Sequence, residues 1–422
     1  MLEHEVTPHG ASLSPDGQYL VYDAPGSNGR RDVFIASTDG GAPAVLTTSA
    51  ADDVSPMWTS DGTHVIFTSD RTGATTLWGI DVADGKAAGP PRMLFHDSGV
   101  MAGSLGLTAD GTFYYVRQTG LVNVYRVELD AAGKPLTQPE VATERYFGTN
   151  MGAAWGPDGA LAHSTRVGQT LTEHLAIRDP ERGLERLLDT RMLFLRLIRW
   201  SPDGREILVK GRDGAQRFGL HLVDPQTGRT TPVVIVPLAA ETSIGQVGWS
   251  HETSTVLYVK DGELIARGLA NGEERTLTQV APAGSVIGFD TLQSAGTIVY
   301  VEQRRGNAGL EWTLHLLEAD GSSRVLVGPA KDDRFFWPSW MPDGRAILVV
   351  RPVAGASGES EICRIDRATG ESTRLGISMG GLRNIDVSDD GRAVTFTAGT
   401  PTREIWVLEH FLPPQQVPTP AR

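Results

Sequence analysis

The chain has 422 residues, of which 40% are hydrophobic and 21% are charged, and its formal net charge is -13. It contains no lysine-rich or arginine-rich run through which it could release counterions from nucleic acid, so nucleic acid is not an expected partner. The single cysteine, Cys363, excludes an internal disulfide and any metal site built from several cysteines.

The start of the chain gives an expectation about location. Residues Met1–Gly10 are acidic and lack the basic start and apolar run of a secretory signal. No later apolar stretch of the sequence is long enough to span a bilayer. We therefore expect no membrane insertion and a cytoplasmic location for the chain as written. A periplasmic or extracytoplasmic location is the alternative if the chain is a fragment of a larger protein.

A turn of the type Ser-Pro-Asp-Gly recurs along the chain. Clear copies end at Gly17, Gly62, Gly111, Gly159, Gly204, Gly344 and Gly391, with a weaker copy at Gly296. Neighbouring copies are 45 to 49 residues apart, except for one interval of 92 residues between Gly204 and Gly296. The long interval implies one decayed copy, and the segment Trp249–Val259 fits it.

A second series of turns tests this count, because each repeat should also carry a turn between its third and fourth strands. These turns end at Gly41, Gly85, Gly133, Gly183, Gly228, Gly272, Gly321 and Gly370. The decayed repeat has its own turn at Gly272. The two series together give nine first turns and eight second turns, which indicates nine repeats.

Each repeat reads as four short strands, as in the second copy with SPMW, HVIFTS, TLWGID and PRMLF. Short runs of β-branched and aromatic residues bounded by Gly, Asp and Pro are typical of strands. Asp-Gly closes the turn between two strands, because Gly accepts positive φ and Asp bonds nearby amides. Four short strands cannot bury both faces alone, so the repeats should stack as blades around an axis. The sequence therefore predicts an all-β fold, a single β-propeller of four-stranded antiparallel blades.

The closure of the ring is predicted from the two chain ends. The last repeat has three strands and then runs into the proline-rich tail 413–422, which disfavours a fourth strand. Residues Leu2–Thr7 precede the first Asp-Gly turn just as Glu273–Thr278 precede a later repeat. We therefore predict that Leu2–Thr7 completes the blade of residues 382–410 as its outermost strand, within one propeller domain of residues 1–412. Nine blades follow from this closure, and eight blades with one repeat packed outside the ring are the alternative.

The best copies of the repeat have a tryptophan, a Ser-Pro-Asp-Gly turn and an Ile/Val-rich strand, as in Met57–Gly73 and Arg199–Gly214. This pattern resembles the repeat of TolB-like, WD-like propellers and covers essentially the whole chain. The tryptophan is present in five repeats, at Trp58, Trp155, Trp200, Trp249 and Trp340. The resemblance implies a protein-binding or ligand-binding scaffold, often periplasmic or attached to a bacterial signalling protein. The additional N-terminal domain of TolB has no counterpart here, so the partners of TolB are not carried over.

Motifs for catalysis or cofactor binding are weak. The segment Gly248–Glu252 lacks the last glycine of the Gly-x-Ser-x-Gly nucleophile elbow. The histidines are scattered, and no glycine-rich phosphate loop follows a strand. We therefore expect no cofactor, no metal and no catalysis. A lyase or hydrolase with its site at the mouth of the central channel is the alternative, and converging His, Asp and Glu side chains with perturbed ionisation would favour it.

The first candidate binding residues lie in loops between blades, which share one face of the ring. These loops combine arginine with aromatic residues, a composition typical of interaction hot spots. The candidates are Arg145, Tyr146, Phe147, Arg191, Phe194, Arg334, Phe335, Phe336 and Trp337. Alternatively, Phe194, Phe336 and Trp337 fill the gaps between blades.

A second candidate set is formed by arginines that recur at the ends of second strands. The binding candidates among them are Arg71, Arg117 and Arg166, and Arg212, Arg304 and Arg351 take the same place in other repeats. A ring of such arginines on an acidic protein would favour an anionic peptide or carboxylate ligand. The alternative is a repeated salt bridge to the turn aspartates. The sequence as a whole predicts a monomeric, non-catalytic sensor or scaffold that binds a protein or peptide across this loop face.

Overall fold

The computed structural model describes residues 10–26, 30–72, 75–96, 100–143, 149–165, 173–180, 182–215, 217–278, 280, 284–306, 309–330 and 334–412. Within these ranges the chain forms nine antiparallel sheets and one short 3₁₀ helix, Leu238–Ser243. No helix in these ranges is long and apolar enough to cross a membrane. The predicted all-β fold of short antiparallel strands is confirmed.

The strands, in chain order, are β1 (Ala11–Leu13), β2 (Tyr19–Pro25), β3 (Arg31–Ser37), β4 (Ala44–Val45), β5 (Asp53–Trp58), β6 (His64–Ser69), β7 (Thr76–Ala83), β8 (Lys86–Ala87), β9 (Arg92–Phe95), β10 (Val100–Leu107), β11 (Phe113–Thr119), β12 (Asn123–Glu128), β13 (Glu140–Val141), β14 (Asn150–Trp155), β15 (Leu161–Thr165), β16 (His174–Arg178), β17 (Glu185–Leu188), β18 (Met192–Trp200), β19 (Ile207–Asp213), β20 (Phe218–Val223), β21 (Thr230–Val236), β22 (Ile244–Trp249), β23 (Thr255–Lys260), β24 (Glu263–Gly268), β25 (Glu274–Thr276), β26 (Gly284–Leu292), β27 (Thr297–Gly306), β28 (Gly309–Leu317), β29 (Ser323–Ala330), β30 (Phe336–Trp340), β31 (Ala346–Pro352), β32 (Glu359–Asp366), β33 (Ser372–Gly380), β34 (Arg383–Val387), β35 (Ala393–Ala398) and β36 (Thr402–Leu408).

The chain divides into two compact units, and unit 1 comprises residues 1–120, 167–171 and 401–422. Its described residues form three sheets, with strand orders β1-β2-β3-β4, β5-β6-β7 with β8 and β9 both on β7, and β10-β11-β36. The first strands of the first two sheets are joined by a hydrogen bond from the backbone N–H of Trp58 to Ser12 Oγ at 3.2 Å. In the third sheet β36 is an edge strand, and its Ile405 side chain is 69% exposed.

Unit 2 comprises residues 121–166 and 172–400 and contains six four-stranded sheets. Their strand orders are β14-β15-β16-β17, β18-β19-β20-β21, β22-β23-β24-β25, β26-β27-β28-β29, β30-β31-β32-β33 and β34-β35-β12-β13. The first strand of each sheet lies against the first strand of the next, from β14 through β18, β22, β26 and β30 to β34, and β34 lies against β14. Unit 2 is therefore a closed ring of six blades.

The last blade of this ring is assembled from both ends of unit 2. Its two inner strands, β34 and β35, come late in the chain, and its two outer strands, β12 and β13, come early. Strand β12 pairs with β35 so that Tyr125 lies opposite Phe396 and Glu128 lies opposite Ala393. Composite blades of this kind close a propeller because strand pairing joins the first blade to the last.

The strands that complete this blade differ from the sequence prediction. Residues Leu2–Thr7 lie outside the described residues, and β36, expected as the third strand next to β35, pairs instead with β11. Strand β12 takes the third position because it buries Val124 and Val127 fully, as a strand between two blades must. Strand β36 is exposed at nearly every position, which suits a sheet edge. The number of predicted repeats, nine, equals the number of described sheets. Six of these sheets form the ring of unit 2, and the domain predicted over residues 1–412 is divided between the two units.

Apolar side chains between neighbouring blades form the core of unit 2. Between the blades of β14–β17 and β18–β21, for example, Leu175 and Ile177 pack with Ile198 and Val209, and all four are buried. Each blade therefore shields one face of its neighbour, as the repeat pattern predicts.

We call the pairing of β12 with β35 the closing seam of unit 2. A glycine at one end of this seam allows a close approach of two backbones. Gly399 has φ +123°, and a Cβ atom there would lie 2.1 Å from the carbonyl oxygen of Leu121. We expect Gly399→Ala to lower the free energy of unfolding by roughly 1–3 kcal/mol, since both strain and overlap oppose the side chain. Gly355→Ala is the matched control, because Gly355 also has positive φ, +79°, but has open space around it. Equal urea midpoints for the two variants would contradict the close approach at the seam.

Candidate functional site

Four of the six first strands of unit 2 share a local distortion that sets the direction of their last residues. In these four strands a β-bulge with a residue at positive φ lies three positions before the tryptophan position of the repeat. The residues are Gly152 (66°), Leu197 (53°), Trp337 (52°) and Asn384 (52°). A bulge bends the strand and re-aims the side chains that follow it. The residue just before the tryptophan position lines the centre of the ring in all six blades.

These six inner residues surround a pocket of about 350 Å³. Small and charged side chains alternate around it, in the order Ala154, Arg199, Gly248, Asp290, Ser339 and Asp386. The small residues leave the space that forms the pocket, and the charged residues supply its polarity. A concave site with a few convergent charged groups is a typical ligand site.

The two inner carboxylates also connect neighbouring blades. Asp386 Oδ2 accepts a hydrogen bond from the backbone N–H of Trp155 at 2.7 Å, which joins β34 to β14 of the next blade. Asp290 Oδ2 accepts one from the backbone N–H of Trp340 at 2.8 Å. One oxygen of each carboxylate is therefore fixed by the next blade, which holds the group in a defined orientation at the pocket.

Burial raises the pKa of both carboxyl groups. The pKa of Asp386 rises to about 7, because desolvation outweighs the opposing attraction of Arg199. The pKa of Asp290 is also raised by desolvation, again against Arg199. Asp389, at the rim of the pocket, has its pKa raised by burial and by the charge of Asp390. Acidic groups that hold protons near neutral pH are common at functional sites.

The titration of Asp386 should appear in the pH dependence of stability. Its folded pKa of about 7 lies above the ordinary 3.8, so the folded state binds this proton more tightly and stability falls as pH rises from about 4 to 7. In Asp386→Asn the amide oxygen can still accept the hydrogen bond from Trp155, but the titration is removed. We expect the urea midpoint of the variant to rise relative to that of the wild type as the pH increases from about 5 to about 8. Parallel pH profiles for the two proteins would contradict the raised pKa.

The walls of the pocket are aromatic, formed by Trp155, Trp200, Trp249 and Trp340. Trp249 Nε1 donates to the backbone oxygen of Arg199 at 3.2 Å. Thr291 takes the tryptophan position in its blade and is 7% exposed. Thr291 lines the pocket, and its buried hydroxyl has no hydrogen-bond partner in the described part of the chain. The pocket lining therefore includes a residue with an unused hydroxyl.

Two further pockets adjoin this one within unit 2. A pocket of about 450 Å³ shares Trp155, Pro157 and Asp389 with it. A pocket of about 720 Å³ shares Arg126, Asp390 and Arg392 with the second. The concave surface thus extends from the channel mouth across the closing blade.

The loop residues predicted from the sequence lie elsewhere. Arg145, Tyr146 and Phe147 lie outside the described residues. Of the described candidates in these loops, Arg191 and Arg334 are exposed, and Phe194 is half-buried with its ring 6.4 Å from that of Phe218. None of the described candidates lines the channel pocket. Their role in binding stays a prediction.

The segment Arg334–Trp337 packs into the blades over most of its length. Phe335 is fully buried in the core, and Phe336 and Trp337 pack against the core of the closing blade. The guanidinium of Arg334 lies 5.3 Å from the ring centre of Trp312. These contacts agree with the alternative interpretation of the sequence, in which the aromatic residues fill the gap between blades. Arg334 is the exposed residue of this segment.

The arginines at the ends of second strands have partners of their own. Arg71 forms two hydrogen bonds of 2.7 Å to the carboxylate of Asp53, and its guanidinium lies 4.4 Å from the ring centre of Trp78. The guanidinium of Arg117 lies 4.3 Å from the ring centre of Trp406. Arg166 lies outside the described residues. The partner of Arg71 lies at the start of a first strand and is not a turn aspartate. The turn aspartates accept hydrogen bonds within their own turns.

Sequence reasoning missed Arg199, Asp290 and Asp386. For Arg199 and Asp386 a signal was present at the residue before the tryptophan position, which lies four residues before the turn glycine. The same spacing from Gly296 gives Thr291 instead of Asp290, so only the strand pairing and the closed ring show that these six residues surround one pocket.

In comparison with known proteins, no family model matches the chain and no curated protein matches it. Among solved structures, the chain is similar to a putative TolB from Agrobacterium tumefaciens, with 16% identity, a TM-score of 0.53 and coverage of 67% of this chain and 100% of that chain. It also matches TolB from Acinetobacter baumannii, with 12% identity, a TM-score of 0.40 and coverage of 96% and 87%. A third match is oligogalacturonate lyase from Vibrio parahaemolyticus, with 11% identity, a TM-score of 0.42 and coverage of 93% and 97%.

At 16% identity, the first match supports a conclusion about the fold alone. The closed six-blade ring and the four-stranded blades agree with that match. The resemblance predicted from the repeat is therefore confirmed for the architecture: the chain has the β-propeller fold of TolB-like structures.

Proposed function

We propose that this chain is a binding module that takes a segment of a protein or peptide partner at the channel mouth of unit 2. The observation that supports this most is the pocket of about 350 Å³ in which small and charged residues alternate. The adjoining pockets of about 450 and 720 Å³ provide room for residues on either side of a bound side chain. Peptides bind in this way when one side chain enters a pocket and the rest lies along the surface.

The loop face predicted from the sequence remains a second surface for the same function. Its exposed arginines, Arg191 and Arg334, could pair with carboxylates of a partner. The buried Phe335 belongs to the core, so an alanine there would unfold the blade rather than test binding. The two surfaces should therefore be tested with Arg334→Ala for the loop face and a rim substitution for the channel.

The test is capture of partners from a lysate of the source organism on the immobilised chain. Ser294→Trp places a large ring at the exposed rim of the pocket, and Ser322→Trp, at an exposed turn away from it, is the matched control. Loss of a specific partner with Ser294→Trp alone supports the channel mouth. Loss with Arg334→Ala alone transfers the function to the loop face. Equal recovery with all variants contradicts both surfaces.

An enzyme of lyase or hydrolase type is the second candidate function. It is favoured by the position of Asp386, whose burial at the pocket raises its pKa to about 7, a value that suits a general acid or base. Among the described residues that line the pocket there is no histidine or cysteine. A panel of p-nitrophenyl esters and glycosides tests this candidate. Turnover that disappears in Asp386→Asn would favour the enzyme, and rates equal to buffer with every substrate would oppose it.

A further inference from the structure

We propose that the channel pocket recognises a primary ammonium group, such as a lysine side chain, seated between Asp290 and Asp386 with Thr291 as a third contact. This inference rests on the proposed function and names the chemistry of the group that enters the pocket. The source is taken to be a peptide, and a free amine of the same chemistry is an arm of the test.

When its carboxyl groups are ionised, the pocket lining favours a cation. Three carboxyl groups line it, at Asp290, Asp386 and Asp389, against the single guanidinium of Arg199. Arg199 attracts Asp290 and Asp386 electrostatically, but the hydrogen bond of its guanidinium goes to the backbone oxygen of Ile198. The carboxyl groups are therefore not neutralised by direct contact. A ligand cation can supply that contact.

The geometry favours an ammonium over a guanidinium. Oδ2 of Asp290 and of Asp386 already accepts a backbone N–H from the next blade. A guanidinium binds a carboxylate best through both oxygens at once, whereas an ammonium directs each of its three donors to a single acceptor. Asp290 and Asp386 stand on blades separated by the blade of Ser339, and all three residues line the same pocket.

Two further groups complete the site. Thr291 lines the pocket and is 7% exposed, and its hydroxyl oxygen is buried without a hydrogen-bond partner among the described residues. It can accept the third N–H of the ammonium. The rings of Trp200 and Trp249 line the same pocket, and indole faces attract cations and pack against the methylene chain of lysine.

Binding should depend on pH in a defined direction. Asp386 faces Arg199, Asp290 and Asp389, and its ionised form is the one that attracts a cation. Because its pKa in the free protein is about 7, an ammonium ligand must displace a proton at lower pH. Affinity should therefore rise as pH increases from about 5.5 to 8.

The test is tryptophan fluorescence titration of the full chain with Nα-acetyl-lysine methylamide, with cadaverine as the free amine. We expect a dissociation constant on the order of 1 mM for the lysine probe at about pH 8. Asp386→Asn and Asp290→Asn should each weaken binding about fivefold or more, and both variants keep an oxygen for the backbone contact. Asp320→Asn, at an exposed turn that lines none of the three pockets, is the matched control and should bind as the wild type does.

The outcomes distinguish a peptide from a free amine as the source of the ammonium group, and they distinguish failure of the ammonium assignment from failure of the proposed function. Tighter binding of the lysine probe assigns the site to a peptide, and tighter binding of cadaverine assigns the same site to a free amine. Equal binding of the Nε-acetylated probe, or unchanged affinity in both aspartate variants, overturns the proposal. If the probes fail while Ser294→Trp still abolishes partner capture, only the ammonium assignment is wrong. If both fail, the proposed function fails as well.

Discussion

Replacing Phe396 with alanine should lower the free energy of unfolding by about 3–5 kcal/mol. Phe396 is fully buried on β35, and its ring centre lies 5.8 Å from that of Tyr125 on β12, so it spans the seam that closes unit 2. Its neighbours include Val127 and Ile385, which cannot fill the space that the ring would leave. The loss should be measured as a shift of the urea unfolding midpoint.

The matched control is Leu136→Ala, because Leu136 is a large apolar residue that is 65% exposed. We expect its midpoint to stay within about 0.5 kcal/mol of the wild type. A similar small effect for Phe396→Ala would mean that β12 does not cover β35, and the closure of the ring through this seam would be wrong.

Replacing Arg71 with alanine should destabilise the protein by about 3–5 kcal/mol, although Arg71 is one of the residues predicted to bind a ligand. Its partner, Asp53, has a completely buried side chain and receives two hydrogen bonds of 2.7 Å from it. The variant leaves that carboxylate buried without its counter-charge. Thermal unfolding followed by tryptophan fluorescence measures the effect, and Asp53→Ala in the same background should add little further loss.

Arg304→Ala provides the comparison, because Arg304 takes the same place in its own repeat. Its pair with Glu311, at 3.0 Å, lies at the surface with the arginine side chain 43% exposed. We expect a loss of about 0–1 kcal/mol for this variant. Equal losses for the two arginines would contradict the distinction between a buried ion pair at Arg71 and an exposed ion pair at Arg304.

The fold could be predicted from the sequence because its signals are local. Asp-Gly turns and alternating strands occur within each repeat, and their period reveals the number of sheets. The closure could not be predicted in the same way, because it depends on which distant strand covers β35. In sequence, β36 directly follows β35 and is therefore its expected partner, whereas β12 comes early in the chain. The choice depends on burial, since Val127 of β12 is buried in the seam and Ile405 of β36 faces solvent.

The candidate site was harder to predict than the fold. Aromatic and arginine residues in loops are typical of binding surfaces, but Phe335 and Trp337 serve packing here, and Arg71 serves a buried ion pair. The channel residues are single positions in six distant repeats, and each is ordinary in its own repeat. Only the ring places Arg199, Asp290 and Asp386 around one space.

Disulfide trapping tests most directly whether β12 closes the ring of unit 2. The double variant Glu128→Cys with Ala393→Cys joins residues that lie directly opposite each other in the structure. A hairpin from β35 into β36 would instead place Ala393 opposite Val407, which pairs with Tyr114 in the structure. The closed ring predicts an intramolecular disulfide between residues 128 and 393 in the oxidised monomer, detected by mass spectrometry, and none between cysteines at 393 and 407. A disulfide between 393 and 407 with none between 128 and 393 would contradict the ring.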